Sequence, residues 1–390
     1  MDVDIAVIGG GIAGSIAALA CARAGFTTTL IDNAAISMPG NEYETRVSSI
    51  NLRSEEYLQQ LEAWDIITRY RTSPFDRIEV WTESQQQPLT FDAADAGLDH
   101  FGHILENNLL AAAARRQLEI NDNYRQSSES RVESLAIKPD AAELNLSTGY
   151  TIRTQLVVAA DGANSIIRKL SGINRSLFDY RQRAIVARVL CEQHHGLRAR
   201  QKFLETGPLA FLPLADGSCS IVWSMDNDHV DEILKLDDQD FCERLGEVFE
   251  HRLGAIETVM NRASFALRRS HATRYYAERV VLVGDAGHTI HPLAGLGANL
   301  GIADVHALVE TLIEARRARQ SFWGSRVLSR YQRRRRAINS ITLSAMDVFH
   351  VGFANNLPIL STLRGRFLSI IDKSDTAKRF FIEQAGGSTP

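Results

Sequence analysis

Three glycines near the start of the chain are spaced to hold a phosphate group. Gly9-x-Gly11-x-x-Gly14 follows a short apolar run, residues 4–8, and leads into an Ala-rich stretch, residues 15–24, that stops at Gly25. The first glycine permits a tight turn, the second lets the backbone approach a diphosphate, and the third lets a helix pack closely on a strand. Free N–H groups and the dipole at the helix N-terminus then favour negative charge. A second apolar run, residues 26–31, ends at Asp32, whose carboxylate is placed to accept hydrogen bonds from an adenosine ribose. The spacing predicts a βαβ unit that binds a dinucleotide.

Two further segments narrow the choice of dinucleotide. Residues 155–160 run as a buried strand into Asp161-Gly162, with Arg168 following; by itself Asp-Gly is only a turn signal. Residues 280–283 run into Gly284-Asp285-Ala286, then into His291-Pro292-Leu293-Ala294-Gly295-Leu296-Gly297-Ala298-Asn299-Leu300-Gly301. A strand ending in an acid, then a Gly-rich loop, then a helix start can grip a polyol with the carboxylate. The helix N-terminus can then stabilise negative charge on a ring system.

The elements that must position these groups alternate along the chain. Residues 132–137 and 143–146 read as paired strands, and 184–191, 203–204, 210–212 and 220–224 as further strands, with Asp216-Gly217 as a hairpin turn. Residues 241–249 are helical by pattern. Apolar positions 302, 305, 308, 309, 312 and 313 predict an amphipathic helix over 301–316. Residues 320–336 are strongly basic, and Arg333 to Arg336 read as a solvated helix face.

Composition sets the outer limits. The 390 residues are 45% hydrophobic, 23% charged and 7% aromatic, which suits two or three domains and excludes disordered, collagen-like and disulfide-scaffold chains. A net charge of −4 gives no basic field for nucleic acid. Cys21, Cys191, Cys219 and Cys242 lie far apart without a CxxC, so reduced thiols and a cytoplasmic location are expected. No metal site is expected; His194-His195, read as strand neighbours, would point to opposite faces. Residues 5–22 are nearly all apolar or Gly, but Asp2 and Asp4 precede them and four glycines break them, unlike a signal peptide. No run approaches the roughly 20 apolar residues of a membrane span.

With these motifs in this order, the chain resembles the class A flavoprotein monooxygenases, the superfamily of p-hydroxybenzoate hydroxylase. The run from His291-Pro-Leu-Ala-Gly through Gly297, Asn299 and Gly301 to Asp304 is similar to the signature of the ubiquinone-biosynthesis hydroxylases within it. The resemblance covers essentially the whole chain. It implies that Gly9, Gly11, Ile12, Ala13, Gly14, Asp32 and Asn33 bind the ADP half of FAD. Arg46 would lie along the diphosphate and flavin, Asn107 would contact the cofactor, and the strand at Val132 would meet the adenine. Asp161 and Gly162 match a motif shared between FAD and NAD(P)H. Asp285 would hold the ribityl chain, with Gly297, Ala298, Asn299 and Leu300 beside the flavin pyrimidine ring. Leu296 stands where the signature usually has Gln, and Ala298 where it has a larger apolar residue.

The fold so implied is α/β: a Rossmann-like FAD-binding domain (1–75, 101–178 and 268–345) with an inserted, mainly antiparallel β-sheet substrate domain (76–100 and 179–267) and a C-terminal helical segment (346–390). The activity implied is hydroxylation of the aromatic ring of a ubiquinone precursor by NAD(P)H and O2, through a C4a-hydroperoxyflavin, with no side-chain acid or base assigned. His288 and His291 are read as loop fixtures. Substrate contacts are expected from Pro292, Leu293 and Phe211, within an apolar sheet that includes Val186, Val189, Phe203, Leu212, Val222 and Trp223. An apolar cavity suits a prenylated phenol. Peripheral contact with the inner membrane and delivery by a biosynthetic protein complex are both open. So are a different aromatic or lipid-like substrate and a non-catalytic FAD protein of assembly.

Overall fold

The computed structural model describes residues 1–83, 87–126, 129–290 and 296–354, apart from the side chains of 296 and 345–354. Its first layer is built on the strand Asp2–Ile8, buried on both faces as its unbroken apolar run requires. That strand pairs in parallel with Thr28–Ile31 on one side (Ile5 opposite Thr28, Ile8 opposite Ile31) and with Thr151–Ala159 on the other (Ile5 opposite Leu156). Val280–Leu282 extends the parallel set beyond Thr151–Ala159. The strands Val132–Ile137 and Ala142–Leu146 join antiparallel, as their pattern predicts.

The helix expected over 15–24 is Ile12–Arg23, and the one expected over 301–316 is Leu296–Arg317. Both begin inside their glycine loops. At the first of them Gly11 takes the N-cap position and offers no side-chain cap for a sequence pattern to register.

A second sheet of eight strands carries the other half of the molecule. Two of its members, Arg175–Cys191 and Ile256–Ala272, are 17 residues long and pair from Arg175 opposite Ala272 to Cys191 opposite Ile256. The expected strand over 184–191 therefore begins nine residues earlier. Residues 175–183 are mostly polar and mostly exposed, with Leu177 and Phe178 adjacent rather than alternating, so their own pattern does not announce a strand; the partner strand holds them extended. A three-stranded sheet of Val47–Asn51, Gly102–Glu106 and Ser73–Phe75 completes the set. Apolar residues of the first layer form one core around Ile5, Ile16, Leu156 and Val281, and those of the large sheet form another around Trp81, Phe211 and Phe249. All four cysteines are buried and free.

The basic run near the C-terminus belongs to the helix Ser325–Ala354, but it is not wholly solvated. Arg333, Arg334 and Arg336 are exposed while Arg335 is buried. Helical spacing turns one of four consecutive arginines inward.

Candidate active site

The three glycines of the first loop have separate jobs. Gly9 lies at φ +95°, and a Cβ there would press on the backbone of Ala160. A Cβ on Gly14 would collide with the carbonyl oxygen of Gly9, so this position enforces close packing of helix on strand. Gly11 is different: nothing lies within 4 Å of where its Cβ would be, and the residue lines a cavity. It is also the N-cap of Ile12–Arg23, with no side chain capping the first turn. Unpaired N–H groups thus meet open space, as a diphosphate cradle requires.

Asp32 follows the second strand and accepts hydrogen bonds from the backbone N–H of Asn33 (2.9 Å) and from Arg115 (2.7 Å). Arg115 lies across Gly10, donating to its carbonyl oxygen at 3.1 Å. Sequence reasoning missed this arginine; its hint is a charged residue set into the Ala-rich helix Asn107–Glu119. The Ser130 N–H donates to the Asp32 carbonyl at 2.8 Å, which brings the buried Val132 strand alongside the same corner.

The cavity measures about 640 Å³ and is continuous across both halves. Gly11, Ile12, Ala13, Arg46, Asn107, Gly162, Asp285, Gly297, Ala298 and Asn299 line it from the first layer and the loops around it. Leu300 and Asp161 do not line it. One carboxylate oxygen of Asp161 accepts the N–H groups of Ile166 (2.7 Å) and Ile167 (3.1 Å), which caps the short helix Ile166–Leu170. Asn107 accepts from the Ser48 hydroxyl at 2.7 Å, and Asn299 ties the long helix to the small sheet through Asn51 N–H and Ser49 C=O. Asp285 faces the cavity, yet protein surrounds that space. Enclosure pushes its carboxyl above the usual carboxylate range, against the pull of His288 and Arg46.

The large sheet supplies the opposite wall, with Val186, Ala199, Ala210, Leu212 and Val222 facing in. Phe211 does not contact the cavity. It is buried on the other face of Gly207–Pro213, stacked on Phe249 with ring centroids 3.7 Å apart. Side chains alternate along a strand, so Ala210 and Leu212, not Phe211, face the cavity. Val189 and Trp223 belong to the same core as Phe211. Pro292 and Leu293 lie outside the described residues. His194 and His195 sit in a turn with ring centroids 4.1 Å apart, and both Nδ1 atoms accept backbone N–H groups there.

The FAD binding domain family matches this chain over residues 2–344. The chain belongs to that family. It is 37% identical to the 3-demethoxyubiquinol 3-hydroxylase of Escherichia coli over 389 residues, covering 98% of each chain. It is 30% identical to the ubiquinone biosynthesis monooxygenase COQ6 of Danio rerio, covering 93% of this chain and 85% of that one. The fold is that of p-nitrophenol 4-monooxygenase PnpA from Pseudomonas putida, with a TM-score of 0.81 at 20% identity over the full length of both. The protein is an FAD-dependent aromatic monooxygenase of the ubiquinone-biosynthesis hydroxylase family, with NAD(P)H as its co-substrate.

Beneath Asp285 the monooxygenase carries a buried polar network that its motifs did not foretell. Asp304, 0% exposed, accepts from the Gly284 N–H (3.1 Å) and pairs with His288 Nε2 (2.5 Å) through one oxygen. The other oxygen accepts from Arg335 Nε (2.7 Å) and Asn339 Nδ2 (3.1 Å). Burial alone would raise this carboxyl; His288 and Arg335 outweigh it and hold it at about 2. Asn339 also reaches Tyr275 Oη at 3.2 Å. The network fixes the turn that presents Asp285, and it ties the C-terminal helix to that turn.

Proposed function

We propose that this monooxygenase hydroxylates the ring of a ubiquinone precursor that carries a polyprenyl tail. The observation that carries the reading is one cavity with two unlike walls: a phosphate cradle and Asp285 on one side, and the apolar face of Val186, Ala210, Leu212 and Val222 on the other. The relatives named for ubiquinone hydroxylation support the same substrate class. The division into an FAD-binding domain and an inserted substrate domain belongs to this reading.

The residues fit FAD. The open space at Gly11 and the uncapped helix turn would take the diphosphate, Asp32 the ribose, and Asp285 the ribityl hydroxyls. FAD bound there would supply the redox chemistry: a hydride acceptor for NAD(P)H and the means of activating O2 for transfer of one oxygen atom to an electron-rich ring. The start of Leu296–Arg317, at Gly297 to Asn299, presents the positive end of a helix dipole to the cavity and favours negative charge beside it. The apolar wall excludes water and orients the ring.

Purified FAD-loaded enzyme is to be given NAD(P)H, O2 and a short-chain prenylated phenol, with product read by mass spectrometry. The expected result is NAD(P)H oxidation stimulated by the prenylated phenol, with a gain of one oxygen atom in the product. Equal stimulation by a small charged hydroxybenzoate, or oxidation that yields only hydrogen peroxide, would overturn the substrate assignment.

A further inference from the structure

Outside the cavity, Glu55, His100 and His103 converge from two separate parts of the chain. Glu55 lies in the helix Leu52–Gln60 and is buried, while His103 lies in the strand Gly102–Glu106 and His100 just before it. The two carboxylate oxygens are each engaged by an imidazole nitrogen: Oε1 by His103 Nδ1 at 2.5 Å and Oε2 by His100 Nε2 at 3.2 Å. One donor atom from each residue falls within 4.8 Å of both others. The His100 and His103 rings meet edge to face at 4.7 Å, and Trp64 closes against His103 at 5.2 Å.

A buried carboxylate needs a cation or strong donors beside it. Two imidazoles and one carboxylate are the donor set that first-row divalent metals take. With metal–ligand bonds of about 2.0–2.2 Å, tetrahedral donors stand about 3.3–3.6 Å apart, so this cluster closes on an ion by side-chain shifts on the order of 1 Å. His100 is the most exposed of the three, with 26% of its side chain in contact with solvent, so a fourth position is open to water.

We propose that Glu55, His100 and His103 bind one divalent transition-metal ion of the Zn²⁺ class. The ion would clamp Leu52–Gln60 to the small sheet. That sheet also borders the cavity: His103 pairs with Ile50, the next residue Ile104 lines the cavity, and Asn51 is held by Asn299. The site is structural, since its ligands stand apart from the cavity lining.

The test uses the full-length FAD-loaded protein, freed of any affinity tag and dialysed against chelator, then titrated with Zn²⁺ by calorimetry. The expected result is one ion per chain, with binding weakened at least about tenfold by Glu55→Gln and by His100→Ala. Co²⁺ should give a visible absorption band that both variants lose. FAD content and circular dichroism verify folding, and His100→Ala, at the most exposed of the three positions, keeps the test available if Glu55→Gln misfolds. No stoichiometric Zn²⁺ binding by the wild type, or wild-type affinity in the variants, would refute the site and leave a hydrogen-bonded His–Glu–His clamp.

Discussion

Asp304→Asn tests whether the buried network holds the turn beneath Asp285. The change keeps side-chain size and one acceptor but removes the charge that faces His288 and Arg335. The carboxyl is held at about 2 against an ordinary 3.8. At about 1.36 kcal/mol per unit, that depression is worth roughly 2–3 kcal/mol at neutral pH. Removing one partner of a buried ion pair also strands the other, which brings the expected loss to about 3–5 kcal/mol.

Because the folded carboxyl titrates below the unfolded one, its contribution is fully present above about pH 4 and is lost as pH falls toward 2. Thermal unfolding of the flavoprotein, followed by circular dichroism and by flavin release, measures the loss. Arg335→Met should be destabilising alone, yet the double variant should be less destabilised than the sum by more than about 1 kcal/mol. A loss below about 1 kcal/mol in Asp304→Asn, or strict additivity with Arg335→Met, would show that these groups do not act as a charge pair.

Gly11→Val should leave the apo fold intact, because its Cβ enters open space, and should abolish FAD binding; flavin content after purification decides, and normal content would place the phosphates elsewhere. Ala210→Phe should cut prenyl-phenol turnover at least about tenfold with FAD retained, whereas Phe211→Ala should cost about 3–5 kcal/mol of stability with turnover per folded flavoprotein kept; the reverse outcome would move the substrate to the Phe211 face. The exposed Ile338 and Ile341 beside Arg333 and Arg336 should bring the protein down with anionic vesicles at low salt and release it at high salt. A protein that stays in the supernatant under both conditions does not dock by this face. Among the described residues no helix is long and apolar enough to cross a membrane.

The legible parts of this protein are those whose physics is local. Gly9, Gly11 and Gly14 announce their turn because backbone approach to phosphate and close helix packing are short-range demands. Face selection is not local: Leu209 and Phe211 alternate with Ala210 and Leu212, both sets are apolar, and only the packed Phe249 decides which face is core. Arg335 among four arginines looks solvated until Asp304, 31 residues away, is seen beneath it. Arg115 and Asp32 are separated by 83 residues, and only the fold brings them to 2.7 Å. The strand over 175–183 is illegible for the same reason, its extension being imposed by Ala266–Ala272.

The paired 17-residue strands form one long ribbon of the large sheet, and its Ala272 end bonds Gly287, two residues past Asp285. Bending this ribbon would have to break ladder hydrogen bonds, so a swing of the large sheet against the Asp285 turn is a costly way to admit a substrate. Its irregular points include the bulge between Asp179 and Gln182, where Arg181 takes φ +56° and Asp179 caps its N–H at 2.8 Å. Breathing should concentrate there, and at the rim loops, while the rest of the ribbon stays shut. Hydrogen exchange would display this as slow amides along 184–186, with fast ones at the bulge and at the register shifts after Val186 and Leu190; rapid exchange along the whole ribbon would mean that the ribbon does bend.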